Sequence, residues 1–301
     1  MGCGQAIEKL PKWLKIRYVE NKESRHIASL MDRYKLHSVC QSAHCPNRNE
    51  CWAHGTATFM VMGEYCTRAC RFCAIKTMAR PRPLDPDEPK NLAQAIATLD
   101  LRYIVLTSVT RDDLLDGGSA HFAECVRTIK QKEPKIIVEA LVPDFNADKD
   151  ALTRMIGSGA DVISHNIETV ERLSPQIRDP RANYKKSLSV LRSYRELSLG
   201  KVITKSGLMV GFGESGDEVK KALLDLRGVG VDIVTIGQYL RPSKTPRHAQ
   251  VKEFVTPEAF AKYEKIAYSL GFRYVASGPF VRSSYKASEP FIKGLLSPRS
   301  A

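Results

Sequence analysis

Six of the eight cysteines fall between positions 40 and 73. Cys40, Cys45 and Cys51 are spaced C-x4-C-x5-C, and Cys66, Cys70 and Cys73 are spaced C-x3-C-x2-C; Cys3 and Cys125 stand apart. The N-terminus lacks the unbroken apolar core of a secretory signal, and Ala6 breaks the myristoylation pattern, so an intracellular, reducing setting is expected. In that setting clustered thiols read as metal ligands or catalysts rather than disulfides. Structural zinc favours two C-x2-C halves and four ligands. Only Cys70 and Cys73 make such a half, with His44 or His54 left as a fourth ligand. Two iron–sulfur clusters are therefore the leading reading and zinc the lesser one.

The second triplet sits in GEYCTRACRFCAIK, directly after the apolar run Thr58–Met62, which reads as a buried strand. Three thiolates on one short loop hold three corners of a cubane and leave the fourth iron open to a substrate or cofactor. Gly63, Thr67 and Ala69 are small enough for the loop to curl with backbone N–H groups facing the cluster. With Phe72 just before the last cysteine, the loop resembles the signature of the radical S-adenosylmethionine superfamily. The resemblance implies that the open iron takes the amino and carboxylate groups of S-adenosylmethionine, with Phe72 near the adenine.

Such a loop needs a frame. Strand-like runs recur at Thr58–Met62, Tyr103–Thr107, Ile136–Leu141, Asp161–Ser164, Gly207–Val210 and Ile233–Ile236. Between them Leu92, Ala95, Ile96 and Leu99 form one helical stripe, Phe122, Cys125, Val126 and Ile129 a second, and Val219, Ala222, Leu223 and Leu226 a third. Thr256, Pro257 and Gly271 mark the ends of a further helix. The fold class is α/β, and the resemblance implies a partial (β/α)6 TIM-like barrel; from pattern alone a doubly wound sheet is the alternative. Cys125 lies on a buried stripe and reads as a small core residue.

Chemistry in such barrels gathers at the C-terminal ends of the strands. Those ends carry Thr107 to Asp113, then Asn166 and Glu168, with Arg178 following, then Gly211 to Glu214, and then Gln238 to Ser243. Loop solvation accounts for part of this polarity. For the cofactor, Thr107 is a further candidate contact, Asn166 and Glu168 suit ribose hydroxyls or the amino group, and Arg178 suits a carboxylate. Gly211 and Gly213 would let backbone approach the adenine.

The first triplet, LHSVCQSAHCPNRNECW, together with the C-terminal run GPFVRSSY, resembles the lipoyl synthase family. Further matches are TSVTRDDL from Thr107, DGG at 116–118, HNIET at 165–169, TKSGLMVG from Thr204 and QYLRPS from Gln238, so the likeness spans about residues 12 to 288. It implies two [4Fe–4S] clusters. The one at Cys66, Cys70 and Cys73 yields 5′-deoxyadenosyl radicals from S-adenosylmethionine. The auxiliary one at Cys40, Cys45 and Cys51 donates two sulfur atoms to C6 and C8 of a protein-bound octanoyl-lysine. A leaving, oxygen-bound ligand suits a sacrificial cluster; the family places it in the serine run, taken here as Ser284 with Ser283 as the alternative. Arg282 would position that run or meet the carrier. The implied organisation is an N-terminal extension (1–56), a core (57–255) and a C-terminal helix and extension (256–301), the two extensions carrying the auxiliary iron–sulfur cluster.

Composition agrees with a globular enzyme: 43% hydrophobic and 26% charged residues exclude disorder. No run of about 18 apolar residues exists, so no membrane span is expected. The net charge of +13 is spread without an RNA-binding signature. It suits an acidic octanoylated lipoyl carrier domain or glycine-cleavage H-type protein, approached through residues such as Lys12, Lys15 and Arg17. Plain solubility would explain the same charge. An external electron donor is implied, nucleic acid is not, and a cytoplasmic location is expected.

Overall fold

A computed structural model describes residues 10–15, 22–42, 45, 47–53, 56–99, 101–285 and 288. Cys3, Arg17, His44 and His54 lie outside the described residues. Ahead of the sheet come a single turn at Lys12–Leu14 and helices α1 (Lys22–Arg33), α2 (Val39–Ser42) and α3 (Arg48–Ala53). Strand β1 (Thr56–Val61) follows, then a two-stranded ribbon of β2 (Tyr65–Cys66) and β3 (Lys76–Thr77) around the second cysteine triplet. The chain then runs α4 (Glu88–Ala97), β4 (Tyr103–Ser108), α5 (Ser119–Lys132), β5 (Ile137–Leu141), α6 (Lys149–Ile156) and β6 (Val162–Ser164). It continues with α7 (Ser174–Ile177), α8 (Tyr184–Leu197), β7 (Ile203–Val210), α9 (Gly216–Gly228), β8 (Ile233–Gln238), α10 (Pro257–Ser269) and β9 (Tyr274–Gly278).

Seven strands form one parallel sheet in the order β1-β4-β5-β6-β7-β8-β9. Order in space follows order in the chain, without the reversal of a doubly wound sheet, so that alternative is set aside. The sheet has one strand more than the six runs predict. Tyr274–Gly278 (YVASG) is short and ends in small residues, so it lacks an apolar run; it is placed by register against β8, Ile233 opposite Tyr274 and Gly237 opposite Gly278. This strand and α10 lie after residue 255 and extend the same sheet.

Strand β7 also starts earlier than its apolar part, because Thr204, Lys205 and Ser206 are polar yet buried. Lys205 Nζ meets Glu139 Oε2 at 2.8 Å, and Tyr103 OH donates to the same oxygen at 2.7 Å. A paired charge can be buried where a lone one cannot. The helical stripes behave as expected: Phe122, Cys125, Val126 and Ile129 are fully buried, and so are Val219, Leu223 and Leu226. Thr256 caps α10 by accepting from Ala259 N, with Pro257 in the first turn. Among the described residues no helix is long and apolar enough to cross a membrane.

Two segments close over the sheet. The N-terminal helices attach to β1 through Met60 N to His37 O (2.8 Å) and Ser38 Oγ to Thr58 O (2.9 Å). The run after β9 returns to those helices: Asn47 Nδ2 donates to Phe280 O at 2.6 Å.

Candidate active site

The second cysteine loop begins with a reversal of backbone hand. Met62 and Gly63 have φ of 68° and 88°. A left-handed methionine costs about 1 kcal/mol or more and must be held from outside. Glu88 Oε2 accepts Met62 N at 3.0 Å and meets His121 Nε2 at 2.6 Å, while Gly118 leaves the space that the Met62 thioether fills. Cys125 Sγ lies within 4.8 Å of the Glu88 and His121 ligand atoms, which makes this trio a clasp on the start of the loop.

Every residue between Cys66 and Cys70 is tied to a neighbouring loop. Thr67 N and Oγ1 donate to Thr110 O, both at 3.0 Å, and Arg181 Nη2 donates to Thr67 O at 2.6 Å. The Arg68 guanidinium is buried between Asp112 (3.0 and 2.8 Å) and Asp144 (2.7 and 2.8 Å). Ala69 N donates to Asp179 Oδ2 at 2.8 Å. Burial alone would raise the carboxyl of Asp144, but the Arg68 hydrogen bonds and charge hold it down at about 2. Of these supporting carboxylates only Asp112 falls in a stretch singled out from the sequence, and there without a role; for Asp144 and Asp179 the only signal is a charged residue inside a loop.

The sulfurs face backbone donors. Cys66 Sγ accepts from Thr110 N (3.3 Å) and Arg68 N (3.4 Å), and Cys70 Sγ accepts from Asp179 N (3.3 Å). Burial pushes the Cys70 thiol up to about 11 and the Cys73 thiol up to about 12, so thiolate form there requires a bound metal. N–H groups aimed at thiolate sulfur are the surroundings an iron–sulfur cluster uses. Neither cysteine triplet brings three sulfurs within 4.8 Å of one another among the described residues. Thiolates on one tetrahedral zinc, about 2.3 Å from the metal, would lie about 3.8 Å apart. The donor set of the second triplet, three thiols with backbone N–H groups aimed at two of the sulfurs, fits an iron–sulfur cluster.

A cavity of about 240 Å³ opens beside the loop. It brings together Cys66, Cys70, Phe72, Cys73, Thr107, Asn166, Glu168 and Arg178, all of them side chains expected around the cluster or the cofactor. Thr107 Oγ1 donates to Leu141 O (3.1 Å). Burial pushes the Glu168 carboxyl up, against the pull of Arg178 and Asn166. Burial likewise lowers the Arg178 guanidinium, against the pull of Glu168. Arg178 Nη1 donates to Ser187 Oγ at 2.9 Å, and its Nε has no partner. Asn166 Oδ1 is also buried without one. A buried acid beside a guanidinium and a carboxamide on one cavity wall suits a ligand bearing hydroxyl, amino and carboxylate groups. His165 braces this wall: Nδ1 donates to Val142 O and Nε2 accepts from Ser187 Oγ, both at 2.9 Å. Burial lowers its imidazole to about 4, which keeps it neutral.

The expected role of Gly211 and Gly213 is corrected. Neither lines the cavity. A Cβ on Gly211 would collide with the Gln238 amide and come within 2.7 Å of Glu253 O, so this glycine admits the protein's own chain.

The first triplet lies against the same region. Val39 lines the cavity, and Cys40 is buried in the next position. Burial, with Cys45 nearby, pushes the Cys40 thiol up to about 11. Arg282 is brought beside Cys45; burial lowers its guanidinium, and Cys45 opposes that. Ser283 and Ser284 sit in a turn closed by Tyr285 N to Arg282 O at 2.9 Å. Ser283 Oγ accepts from Asn166 Nδ2 at 2.8 Å. The serine run is thus next to both cysteine groups, 233 residues from Asn47 along the chain where Phe280 is fastened.

Residues 60–226 match the model of the Radical SAM superfamily. The chain is 51% identical over 97% of its length to the chloroplastic lipoyl synthase of Ricinus communis, covering 81% of that protein. It is 52% identical over 98% of its length to the mitochondrial lipoyl synthase of Yarrowia lipolytica, covering 84%. Against the lipoyl synthase of Marinobacter nauticus identity is 50% over 97% of this chain and 83% of that one. The chain belongs to the lipoyl synthase family. It is accordingly a radical S-adenosylmethionine enzyme that binds S-adenosylmethionine and at least one iron–sulfur cluster. In fold it is similar to methylornithine synthase, with a TM-score of 0.57 at 14% identity over 83% of this chain and 70% of that one. The hydrogenase maturase HydG of Carboxydothermus hydrogenoformans gives 0.54 at 12% identity over 79% and 66%. Those two likenesses bear on the fold alone.

Proposed function

We propose that this chain inserts sulfur at C6 and C8 of an octanoyl-lysine carried on a lipoyl carrier domain or a glycine-cleavage H-type protein, using two [4Fe–4S] clusters and an external electron donor. The observation that carries the reading is the single cavity shared by the Cys66 loop and the Asn166, Glu168 and Arg178 wall, with the Cys40 segment and the serine run against it. Bound S-adenosylmethionine and the clusters supply what no side chain can, a carbon radical able to open an unactivated C–H bond and a store of sulfide.

The chain's own residues bind and orient. Cys66, Cys70 and Cys73 hold the cluster with an open iron; Phe72, Thr107, Asn166, Glu168 and Arg178 surround the cofactor. Glu168 pairs with an ammonium and Arg178 with a carboxylate, each within a buried wall where such contacts are strong. Cys40, Cys45, Cys51 and Ser284 hold the second cluster, with Ser283 engaged by Asn166. In this reading the core (57–255) is the (β/α)6 part of a partial barrel, and segments 1–56 and 256–301 provide the second cluster's ligands.

Anaerobic protein given an octanoylated carrier peptide, S-adenosylmethionine and reductant should add two sulfur atoms by mass spectrometry and release 5′-deoxyadenosine. Iron should number about eight per chain; about four would contradict two cubanes. Cys66→Ala should abolish 5′-deoxyadenosine, and Cys45→Ala should keep it while stopping sulfur insertion. Sulfur insertion by both variants would overturn the division of labour.

A further inference from the structure

The Cys66 loop has an outer face as well as an inner one. Inward, Cys66, Cys70, Phe72, Cys73 and Ile75 line the cavity; Arg71 and Lys76 are exposed and line none of it. Against the outer face packs the segment that follows β8, residues 241–249. Arg247 Nη2 donates to Ile75 O at 2.9 Å, and Ala249 N donates to Arg71 O at 2.9 Å. His248 Nε2 donates to Cys73 O at 3.1 Å, while its Nδ1 accepts from Ser243 Oγ at 2.8 Å.

Five cations gather on this face: Arg71, Lys76, Arg241, Lys244 and Arg247. Backbone carbonyls hold the arginines. Arg71 Nε donates to Arg247 O at 3.4 Å, and Arg241 Nη2 donates to Lys244 O at 3.2 Å and Thr245 O at 2.7 Å. Lys76 follows Ile75, the residue that Arg247 holds, and its Nζ stands 5.9 Å from the centre of the Tyr65 ring. Among the described residues none of the five is in an ion pair. Arg68 and Arg181, on the other side of the loop, are neutralised by Asp112, Asp144 and Asp179. Cations gathered without counter-charges make a local positive field that draws in an acidic partner.

We infer that this outer face, Arg71 and Lys76 with residues 241–247, is the docking surface for an acidic one-electron carrier protein that serves the cluster held by Cys66, Cys70 and Cys73. Position selects this partner over the octanoylated carrier. An octanoyl arm has to enter the cavity, and the backbone of the loop stands between the cavity and this face. An electron needs no opening. Its route is the two residues from Arg71 to Cys73, or the single hydrogen bond from His248 to the Cys73 carbonyl. The carrier is oxidised by one electron and the cluster is reduced by one, with no bond made or broken. The inference rests on the proposed function for there being a cluster to reduce, and it adds where the electron enters.

The test compares two donors to the reconstituted, anaerobic enzyme: reduced plant-type ferredoxin, an acidic low-potential protein, and reduced methyl viologen, a small cation. Lys76→Glu combined with Lys244→Glu should slow ferredoxin-driven release of 5′-deoxyadenosine about tenfold below donor saturation, and leave viologen-driven release unchanged. Lys135→Glu combined with Lys201→Glu makes the same change in net charge just ahead of β5 and β7, at the opposite end of the strands, and should change neither rate. Carbodiimide coupling of the unaltered enzyme to ferredoxin should join Lys76 or Lys244 to ferredoxin carboxylates, as read by mass spectrometry. A ferredoxin-driven rate that survives the Lys76 and Lys244 reversal, an equal loss in the Lys135 and Lys201 variant, or cross-links confined to other lysines would overturn the inference. So would coupling of this face to an octanoylated carrier domain in preference to ferredoxin. If the reversed chain does not fold, the cross-links of the unaltered chain decide. Absence of 5′-deoxyadenosine from the unaltered chain with either donor would count against the proposed function, whereas the cross-links and the difference between donors read the docking face.

Discussion

Arg68 and Asp144, 76 residues apart in the chain, meet as a buried two-pronged ion pair with N–O distances of 2.7 and 2.8 Å. Asp112 holds the other edge of the same guanidinium. The centre of the cysteine loop is therefore locked to two strand ends by charge-assisted hydrogen bonds in a fixed planar geometry. A loop held this way has its shape before any cluster arrives, so the ordering cost of cluster binding is reduced.

Arg68→Lys should break the two-pronged geometry while keeping the charge. Removing one partner of a buried pair costs about 3–5 kcal/mol, and the lysine recovers part of that. Iron in the reconstituted variant should fall from about eight toward about four per chain, with 5′-deoxyadenosine lost and the second cluster retained. Iron assay and EPR of the reduced protein check it.

Two acid-sensitive windows follow from buried groups. His165 is lowered from 6.5 to about 4, so the unfolded chain binds a proton that the folded chain refuses; stability is full above pH 6.5 and falls by about 3 kcal/mol on going down to pH 4. Asp144 is lowered from 3.8 to about 2, and its contribution of about 2 kcal/mol is present above pH 4 and lost as pH falls toward 2. Urea unfolding of the cluster-free chain from pH 7 to 3 should show the first loss, and His165→Gln should flatten it.

Gly237→Ala should separate the two halves of the reaction. A Cβ at Gly237 would strike Val281 O and displace the serine run, while leaving the cavity wall in place. Formation of 5′-deoxyadenosine should persist, and sulfur insertion should fall by about a hundredfold, the scale of a displacement near 1 Å. Product ratios by mass spectrometry measure the split.

Turnover on a folded, acidic carrier domain should fall as salt is raised, since the chain carries a net charge of +13. A short neutral octanoyl peptide should show little such dependence. Equal salt responses for both substrates would remove electrostatic steering from the account.

Local features were legible in the sequence by itself: the two cysteine spacings, the apolar strands and the helical stripes of α4, α5 and α9. Each is encoded within a few residues, either as ligands on one loop or as a side-chain period set by the backbone. Tertiary structure alone decided what holds those features in place. Strand β9 has no apolar run and exists through its register with β8. Asp112, Asp144 and Asp179 lie 44, 76 and 110 residues from the loop residues they bind, and nothing nearby in the chain names those partners. Lys205 looks like a surface residue until Glu139 is found beside it. Gly211 looks like a ligand cradle until Gln238 is found in the space. A contact between distant residues is a property of the folded sheet and its loops, because only folding brings both partners out of water at the same point.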